Sequence, residues 1–585
     1  AMNAAAAARF ARRRAGRPLL GMAGAVVALW RVVPVPGLGG GYGLRLLTSA
    51  GIWSIAALGY RLAFGEAGLL SLAQAALMGL GGYGAALLAI HFGWPVPLTL
   101  GFAMVLPGVV ALSLGWLARR LAAHYFALAS LAVAELLRLA AVHGGGLTGG
   151  ANGLFGIPRL TRLLASAPLN DPLLVWLAVA AAAAVSWLMT RGRRGQSFRL
   201  LAADETAAAS IGINGGRLRH EALVVAGALA GLAGGLQAHV LSVISAGALA
   251  FEGMVLILAM TVIGGRGHLA GPIAGALLLV VMPEVARPLQ QYYLLAVGGV
   301  MLAVLIAAPD GLVRRPRPGT RPVGQTSSVV DRPMRPLAND GPVLRLDDVH
   351  KRFGGVRALS GVGLTITAGE CVGLVGANGS GKSTIANIVS GLVQPDSGRI
   401  MIGGAVIGPG LAPWRRARLG ISRVFQSRRL AGHMTVLDNV AVALAGQPTG
   451  DAAIQQAAAL LEEMGIADQA HALAHTLAHG MARRVEIARA LAGRPGLLIL
   501  DEPAAGLTAQ GRDHLAMALR RRQALGMAVL VIEHDLTFLG RIAGRVLCLA
   551  DGVIVAEARG GTAMSDPTIA AALLGRTASV AGGAS

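Results

Sequence analysis

The stretch that decides the fold of the second half of this chain is GANGSGKST, residues 376–384. It fits the pattern GxxxxGK[ST], in which a glycine-rich loop closes its backbone N–H groups around nucleotide phosphates. Lys382 is expected to reach the β- and γ-phosphate oxygens, and the hydroxyl of Ser383 is expected to ligate Mg²⁺. The predicted nucleotide-binding residues of the loop are Gly376, Ala377, Asn378, Gly379, Ser380, Gly381, Lys382, Ser383 and Thr384.

The residues on either side of the loop suit this interpretation. Residues 371–375 (CVGLV) predict a short buried strand, and residues 384–389 predict an amphipathic helix whose N-terminus faces the phosphates. The alternative is a plain glycine turn between a strand and a helix. The chain has 51 lysines and arginines, of which only Lys351 and Lys382 are lysine. Composition therefore does not explain a lysine at this position, which favours the phosphate loop.

The composition indicates a membrane protein that also carries a soluble part. The chain has 585 residues, enough for two or more domains, and 54% of them are hydrophobic while 14% are charged. The net charge is +22, but the arginines lie between apolar stretches and in one linker, as in cytoplasmic loops of membrane proteins. No nucleic-acid partner is expected. Cys371 and Cys548 are far apart and form no CxxC, which predicts a reduced compartment and no metal framework.

Residues 1–312 contain recurring apolar stretches that predict a polytopic α-helical membrane domain in contact with membrane lipid. These stretches lie at about 18–33, 44–60, 67–91, 95–118, 122–142, 172–190, 220–245, 252–265, 271–286 and 291–308. Several are shorter than the ~20 residues that a straight span needs, which predicts tilted, broken or re-entrant helices. About ten spans, with both ends in the cytoplasm, place the arginine-containing loops on one side of the membrane.

Two features inside this half predict specific contacts. Glu135 and Arg138 are three residues apart in the fifth stretch, which predicts an ion pair buried in the bundle, with a role on the solute path as the alternative. Residues 191–219 form the longest inward loop. Its segment 202–211 predicts one helix, with Asp204 near the start, where an acid favours the helix dipole. A short exposed helix on this side is suited to dock on another domain.

The domain organisation follows from these changes in composition. Composition predicts a transmembrane domain at 1–312, a proline- and arginine-rich linker at 313–342 and a soluble domain from Val343. The predicted fold class is a polytopic α-helical membrane domain followed by an α/β P-loop NTPase domain.

Further elements of a nucleotide-hydrolysing domain follow the phosphate loop along the chain. Residues 497–503 (LLILDEP) predict an apolar strand that ends in two acids. Asp501 is expected to hold Mg²⁺ together with Ser383, and Glu502 is expected to polarise the attacking water. These residues follow the phosphate loop in the order that a nucleotide-hydrolysing domain requires.

Three more residues complete the predicted site. Residues 529–535 (VLVIEHD) predict a second buried strand, followed by His534 in position to contact a γ-phosphate. Gln426, in RVFQ, is expected to contribute to Mg²⁺ binding or to water positioning. Phe353 precedes the phosphate loop, where an aromatic ring can stack on adenine. The predicted catalytic residues are Glu502, His534 and Gln426, and the predicted Mg²⁺ ligands are Ser383, Gln426 and Asp501.

On these motifs, residues 343–577 resemble the ATP-binding subunit of ABC transporters. The resemblance implies an ATP-binding domain at 343–577 and a tail at 578–585. Finer matches are KRFGG (351–355), GISRVFQ (420–426), MTVLDNV (434–440), EIARAL (486–491), DEPAAGL (501–507) and IEHDL (532–536). Together they look like an ATPase of the branched-chain (hydrophobic) amino-acid importers. The first half looks like a permease of the same system, on the segments 68–88, 124–139, 147–158 and 263–278. In that family the permease and the ATPase are usually separate chains, and here they are fused.

The resemblance implies a function and a set of partners. It implies ATP and Mg²⁺ as cofactors, and a second permease, a second ABC ATPase and a periplasmic solute-binding protein as partners. It also implies a multi-pass protein of the bacterial inner membrane with its ATPase domain in the cytoplasm. In this family the loop at 191–219 would contain the coupling helix.

The family signature LSxGQ is altered in this chain. Leu477 is followed by Ala478, His479, Gly480 and Met481, so the serine hydroxyl and the glutamine side chain are missing. In ABC dimers the signature of one subunit covers the nucleotide held by the other subunit. The change therefore affects the partner's ATP site rather than the one built on Lys382. Thr508 also stands where the family usually has Asn or Asp.

Three histidines recur at intervals of four residues, two of them just before this signature and one within it. On a continuous helix His471, His475 and His479 would share a face and could bind a metal ion. Gly480 is expected to end any such helix. Solvent-exposed histidines are therefore favoured over a metal site.

The sequence leaves several functions open. The favoured one is import of a branched-chain amino acid, with urea, short amides or aromatic carboxylates as alternative solutes in the same family. An ABC exporter half-transporter is a further alternative, although exporters typically have six long spans. A membrane-tethered regulatory ATPase that moves no solute is supported only by the altered signature.

Overall fold

A computed structural model of the chain describes residues 41–121, 123–160, 170–285, 292–313, 341–444, 450–562 and 569. The apolar stretch at 18–33, nearly all of the linker and the tail at 578–585 lie outside the described residues. Internal packing divides the chain into two units. The first contains residues 1–191 and 216–317, and the second contains 192–215 and 318–585.

Residues 41–307 form helices over most of their described length, because a helix satisfies all its backbone hydrogen bonds within one segment. These helices are α1 (Gly41–Tyr60), α2 (Gln74–His91), α3 (Val96–Ala118), α4 (Ala123–His143), α5 (Asp171–Thr190), α6 (Gly192–Ala203), α7 (Glu205–Ser210), α8 (Gly215–Leu241), α9 (Phe251–Gly264), α10 (Gly271–Val285) and α11 (Tyr293–Ala307). A π-helical turn, Arg61–Glu66, continues α1. The strands β1 (Leu154–Phe155) and β2 (Val243–Ile244) pair antiparallel.

Nine of the ten predicted apolar stretches correspond to helices of the first unit, and the tenth lies outside the described residues. Among the described residues, five helical segments are long and apolar enough to cross a membrane: 41–66, 96–118, 124–143, 171–190 and 215–241. The helices α9 and α10 are shorter, with 14 and 15 residues. The total number of spans stays a prediction.

Glycines bring three helices of the first unit into backbone contact. A Cβ at Gly81 of α2 would lie 2.4 Å from Cα of Gly231 in α8, and a Cβ at Gly231 would lie 1.9 Å from the carbonyl oxygen of Ala103 in α3. Inside a bilayer the hydrophobic effect does not drive helices together, so they associate by close packing through small residues. Helix α8 is therefore packed tightly between α2 and α3.

The expected burial of the Glu135–Arg138 pair is wrong for this chain. The pair forms, with Arg138 Nε donating to Glu135 Oε2 at 2.9 Å, but the arginine and glutamate side chains are 34% and 49% exposed. They lie on a face of α4 that is open in the single chain, where Leu136 is 65% exposed as well.

The second unit contains two sheets. The four-stranded antiparallel sheet has the order β4-β3-β6-β7, and the six-stranded sheet has the order β12-β11-β5-β10-β9-β8, parallel except for the edge strand β12. The strands are β3 (Leu344–Phe353), β4 (Val356–Ile366), β5 (Cys371–Val375), β6 (Ser397–Ile402), β7 (Ala405–Val406), β8 (Ile421–Val424), β9 (Leu497–Asp501), β10 (Ala528–Ile532), β11 (Arg545–Ala550) and β12 (Val553–Arg559). The predicted buried strands at 371–375, within 497–503 and within 529–535 are confirmed as β5, β9 and β10.

The described part of the ATPase region, from residue 341 onward, also contains seven α-helices. They are α12 (Lys382–Ser390), α13 (Pro413–Leu419), α14 (Val436–Ala441), α15 (Gly450–Glu463), α16 (His479–Ala492), α17 (Ala509–Ala524) and α18 (Leu536–Ile542). All five residues of each of β5, β9 and β10 are buried, as expected for central parallel strands covered on both faces.

The helix predicted at 202–211 is present as α7, but it begins at Glu205 rather than at residue 202, and a separate helix, α6, ends just before the break at Asp204. Asp204 is extended (φ −158°, ψ 110°), and its side chain accepts a hydrogen bond from the N–H of Ala207 at 2.8 Å. An aspartate that caps a new helix in this way stops the preceding one. Residues 192–215 pack within the second unit.

Candidate nucleotide site

The predicted site residues meet at one edge of the six-stranded sheet. In parallel sheets ligands bind beyond the carboxyl ends of the strands, and β5, β8, β9 and β10 all end at this edge. The phosphate loop follows β5, Glu502 follows β9, and Gln426 and His534 come two residues after the ends of β8 and β10.

The shape of the phosphate loop requires its glycines. Gly376 and Gly381 have φ values of +151° and +106°. A Cβ at Gly376 would lie 2.1 Å from the carbonyl oxygen of Leu549, and one at Gly381 would lie 2.5 Å from that of Ala358. Helix α12 begins at Lys382, with Ser383 exposed in its first turn. The free N–H groups of this turn and its positive dipole end therefore favour an anion at the loop.

Lys382 is held inside the loop. Its Nζ donates hydrogen bonds to the carbonyl oxygens of Gly376 and Ala377, both at 2.7 Å, and the residue is 6% exposed. Burial lowers the pKa of Lys382, while the carboxylates of Glu502 and Asp501 act in the opposite direction. The ammonium group is thus positioned at the loop before any phosphate is bound.

Two of the predicted catalytic side chains lie beside one carboxylate oxygen of the third, Glu502. Gln426 Nε2 donates to Glu502 Oε1 at 3.0 Å, and His534 Nε2 lies 3.5 Å from the same oxygen. Glu502 has a φ of +50°, an unusual value for a residue with a side chain, and its N–H is held by the carbonyl of Ile532 at 2.8 Å. The backbone therefore fixes Glu502 between the other two residues.

Asp501 is buried at the end of β9, only 3% exposed, and its Oδ2 lies 3.2 Å from Arg423 Nη2. Burial raises the pKa of Asp501, and Arg423 opposes this shift. Mg²⁺ prefers hard oxygen ligands, and a hydroxyl, an amide and a carboxylate are available at Ser383, Gln426 and Asp501. The donor set therefore fits Mg²⁺, although one carboxylate oxygen of Asp501 is already engaged by arginine.

Arg483 joins the ends of two strands, and the sequence did not reveal this role. The residue lies in α16 and is 3% exposed. Its Nη2 donates to the carbonyl oxygens of Gln426 at 2.9 Å and Glu502 at 3.3 Å, and its Nη1 donates to that of Phe425. The only sequence signal was an Arg–Glu pair three apart with Glu486, which is common on exposed helices.

Glu533 was missed for the same reason. It is 5% exposed, and its carboxylate accepts the N–H groups of Ala504 at 2.7 Å and His534 at 3.0 Å. It therefore ties the segment after β9 to the one after β10. In the sequence it reads only as the residue before His534.

Phe353, the predicted adenine platform, is the last residue of β3. Its side chain is 49% exposed, and Nζ of Lys351 lies 5.4 Å from its ring centroid. The ring is accessible at the surface of the antiparallel sheet.

The signature residues begin a helix rather than end one. Ala478 is the extended residue before α16, and Gly480 lies in its first turn, so the expectation that Gly480 ends a helix is wrong. A Cβ at Gly480 would lie 2.4 Å from the carbonyl oxygen of Gly506, so glycine is required there. Among the described residues, no hydrogen bond joins the altered positions 478–481 to the loop at 376–384.

The structure does not place His471, His475 and His479 on one helix face. A 3₁₀ turn, Ala474–Thr476, separates His471 from α16, and His475 Nδ1 lies 2.9 Å from the carbonyl oxygen of Gly432. His475 and His479 are exposed. The described residues contain no cluster of three His, Cys, Asp or Glu side chains arranged to hold a metal ion.

Residues 192–215 contact the ATPase residues of the same unit at three places. Asp204 Oδ2 lies 2.8 Å from Arg429 Nη1, and Gln196 Nε2 donates to Asp438 Oδ1 at 3.0 Å. At the other end, Arg418 Nε donates to the carbonyl oxygen of Gly212 at 3.0 Å.

A polar network links this contact to the site. The backbone N–H of Arg429 donates to Glu486, and Glu486 Oε2 lies 3.3 Å from Arg483 Nη1. Burial raises the pKa of Glu486, and the N–H of Arg429 opposes that shift. Arg483 in turn holds the carbonyls of Gln426 and Glu502. The network therefore runs from the helix break at Asp204 to the sheet edge that carries Gln426 and Glu502.

Each half of the chain matches a known protein family. Residues 42–309 match the family described as branched-chain amino acid transport system / permease component, and residues 359–505 match the ABC transporter family. The chain is 36% identical over 251 residues to the high-affinity branched-chain amino acid transport ATP-binding protein BraF of Pseudomonas aeruginosa, covering 40% of this chain and 98% of BraF.

Two further similarities fall in the second half. The methionine import ATP-binding protein MetN of Mesorhizobium japonicum is 38% identical over 232 residues, covering 38% of this chain and 62% of MetN, so less than two thirds of that protein is matched. A crystal structure of a nucleotide-free ATP-binding cassette from an ABC transporter is 28% identical, covers 39% of this chain and 97% of that chain, and has a TM-score of 0.35.

Proposed function

Because this chain belongs to the branched-chain amino-acid ABC transporter family and carries a permease domain and an ATP-hydrolysing ABC domain in one polypeptide, we propose that it imports branched-chain amino acids. Transport is directed into the cytoplasm across the bacterial inner membrane. The observation that carries the energy-coupling half of the proposal is the convergence of Gln426 and His534 on Glu502, at the sheet edge that holds the phosphate loop.

Each residue of the site has a distinct task in ATP hydrolysis. The loop 376–384 wraps the phosphates, Lys382 contacts the β- and γ-phosphate oxygens, and Phe353 stacks on adenine. Glu502 accepts a hydrogen bond from the attacking water and orients it, while His534 contacts the γ-phosphate from the other side. In the structure, Gln426 and His534 already contact Oε1 of Glu502, so this carboxylate is pre-oriented.

Mg²⁺ would be held by Ser383, Gln426 and Asp501, directly or through water, and would neutralise charge on the β- and γ-phosphates. The oxygen ligands of this set support the assignment. Gln426 then has two tasks, because its amide nitrogen contacts Glu502 while its amide oxygen is available to the metal ion.

Function requires partner chains. A second permease and a second ABC ATPase complete the transporter, and a periplasmic solute-binding protein delivers the solute. In the ATPase dimer, the altered signature at 478–481 covers the nucleotide of the partner ATPase. That second site lacks one hydroxyl donor, so it hydrolyses ATP more slowly than the site built on Lys382.

Residues 191–219 act as the coupling region. The ion pair between Asp204 and Arg429, and the network from Arg429 to Arg483, support this role. Movement of the sheet edge on ATP binding would displace Arg429 and, through it, the start of α7. The coupling is thus carried by a short run of charge-assisted hydrogen bonds.

Reconstitution tests the proposal. Proteoliposomes carrying the complete transporter, with ATP enclosed and the binding protein outside, should accumulate leucine, isoleucine and valine, and Lys382→Ala should abolish this uptake. Saturable accumulation of urea or short amides without leucine would assign another solute of the family. Export of solute, or ATP hydrolysis without any transport, would contradict the import assignment.

A further inference from the structure

The chain between α8 and α9 is not α-helical, although it packs against helices of the first unit. Residues 242–250 contain β2 and a 3₁₀ turn, Ala246–Leu249. They pack against the middle of α2: a Cβ at Gly79 would lie 2.5 Å from Leu249 Cγ, and one at Gly82 would lie 2.9 Å from Ile244 Cδ1. The following helix α9 has 14 residues, or about 21 Å, and falls short of the ~30 Å hydrocarbon core.

The irregular segment 242–250 lines a cavity. In a bilayer such backbone is tolerated only where protein buries it or where it borders a water-filled space. Residues of this segment, together with α1, α2, α8 and α9, line a half-open cavity of about 420 Å³. That volume lies within the range of small-molecule sites, ~300–1,000 Å³.

The lining combines an apolar wall with a few polar groups. Trp53 of α1 and Met78 of α2 contribute to the wall, whereas Gln237 and Ser245 are neutral hydrogen-bonding groups. Glu252 is the one charged side chain among the described lining residues. An acidic side chain in a membrane domain is costly and is by default a functional group.

Neighbouring charges leave the cavity acidic. Arg138 interacts electrostatically with Glu252, but its guanidinium is hydrogen-bonded to Glu135 by Nε at 2.9 Å and by Nη2 at 2.5 Å. The three charges therefore sum to −1. A carboxylate at the cavity accepts hydrogen bonds from N–H groups and repels anions.

We propose that this cavity binds the transported solute inside the membrane domain, and that Glu252 selects solutes that carry an N–H donor next to a short aliphatic group. Amines, amino acids and short amides belong to this class, and carboxylic acids without a nitrogen do not. The inference rests on the proposed transport function and narrows its solute.

Cysteine labelling tests the cavity directly. The two native cysteines, Cys371 and Cys548, are both buried in the second unit, so a cysteine placed in the first unit can be followed alone. Ser245→Cys, in the full-length transporter in membranes, should react with water-soluble methanethiosulfonates. The cationic reagent should react at least about tenfold faster than the anionic one, because Glu252 concentrates cations. Adding Glu252→Gln should remove this preference.

Protection reports the solute class. Leucine and leucinamide should slow the labelling of Ser245→Cys, whereas 4-methylpentanoate, which has the same aliphatic group without the nitrogen, should not. Val109→Cys is the matched control, because Val109 lies on the outer face of α3 and is 56% exposed in the single chain. It should resist these reagents, since lipid or a neighbouring subunit excludes water there.

Ala248 also lines the cavity, so Ala248→Cys provides a second labelling position. Three results would overturn the proposal. They are no labelling at either Ser245→Cys or Ala248→Cys, labelling of Val109→Cys as fast as that of Ser245→Cys, and protection by 4-methylpentanoate as strong as that by leucine. The uptake assay separates this proposal from the proposed function. Import of leucine without protection of Ser245→Cys would remove the cavity assignment alone. Protection by leucine without ATP-driven import would uphold the cavity and remove the import assignment.

Discussion

Asp204 and Arg429 form an ion pair of 2.8 Å that is only 19% and 30% exposed. The two residues are 225 positions apart in the chain. Asp204 stands at the break between α6 and α7, and Arg429 follows the segment that carries Gln426. This ion pair therefore connects residues 192–215 to the segment whose Gln426 contacts the carboxylate of Glu502.

Removing the charge of Asp204 should weaken coupling more than hydrolysis. Asp204→Asn keeps an N-cap for α7 but removes the ion pair, and a partly exposed pair is worth up to ~1 kcal/mol, or about fivefold. We expect solute moved per ATP to fall by up to about fivefold while the ATPase rate changes less. Glu205→Gln, the neighbouring acid, is the control. A proportional loss of both activities in Asp204→Asn would contradict a coupling role.

Gly212→Pro should have a stronger effect of the same kind. Gly212 has a φ of +85°, its N–H donates to the carbonyl of Ala209, and its own carbonyl accepts from Arg418. Proline fixes φ near −65° and removes the donor, so the contact with Arg418 should be lost. Uptake should fall while ATP binding stays intact, as measured in the same proteoliposomes. Wild-type uptake would exclude 191–219 as the coupling contact.

Arg483→Met should destabilise the ATPase domain and slow hydrolysis. It leaves the carbonyls of Phe425, Gln426 and Glu502 without this donor, and removing one partner of a buried ion pair typically costs ~3–5 kcal/mol. Thermal unfolding of the full chain should shift to a clearly lower temperature. Arg484→Met, at the more exposed neighbouring position, should cost ~1 kcal/mol. Equal shifts in the two variants would remove the special role of Arg483.

Lys382→Ala should abolish ATP binding while leaving the protein in the membrane. The lysine is a point charge on the β- and γ-phosphates and lies in the second unit. Binding of a fluorescent ATP analogue to the purified chain measures the effect, with unchanged membrane extraction as the control for folding. Wild-type affinity in this variant would disprove the phosphate-loop assignment.

The sequence predicted the parts of the protein whose structure is set by residues adjacent in the chain. The strand at 371–375, the loop after it and the residues at the ends of β9 and β10 follow from short motifs whose geometry is set by neighbours in the chain. The convergence of Gln426, Glu502 and His534 also follows, because parallel strands deliver their ends to one edge.

The parts that were missed depend on distant partners or on competition within a few residues. Arg483 is recognisable only once α16 is packed beneath the ends of β8 and β9. The break at Asp204 results from a cap that outcompetes a continuous helix, where helix propensity alone favoured one segment. The exposure of Glu135 and Arg138 depends on what covers α4, which the sequence of one chain does not specify.

The most direct test is to measure ATP hydrolysis and leucine uptake together in proteoliposomes containing Glu502→Gln. In the proposed dimer with a second ABC ATPase, the site built on Lys382 and Glu502 would be completed by the partner's signature, and the opposite site would be covered by Ala478 and Met481. Loss of a single transition-state donor typically costs ~10²–10³ in rate, so the opposite site contributes little. Glu502→Gln should therefore stop nearly all hydrolysis and uptake, and adding Ala478→Ser with Met481→Gln should raise the residual hydrolysis. Retention of about half the wild-type ATPase rate in Glu502→Gln would contradict the account, because it would mean that the two ATP sites are equivalent.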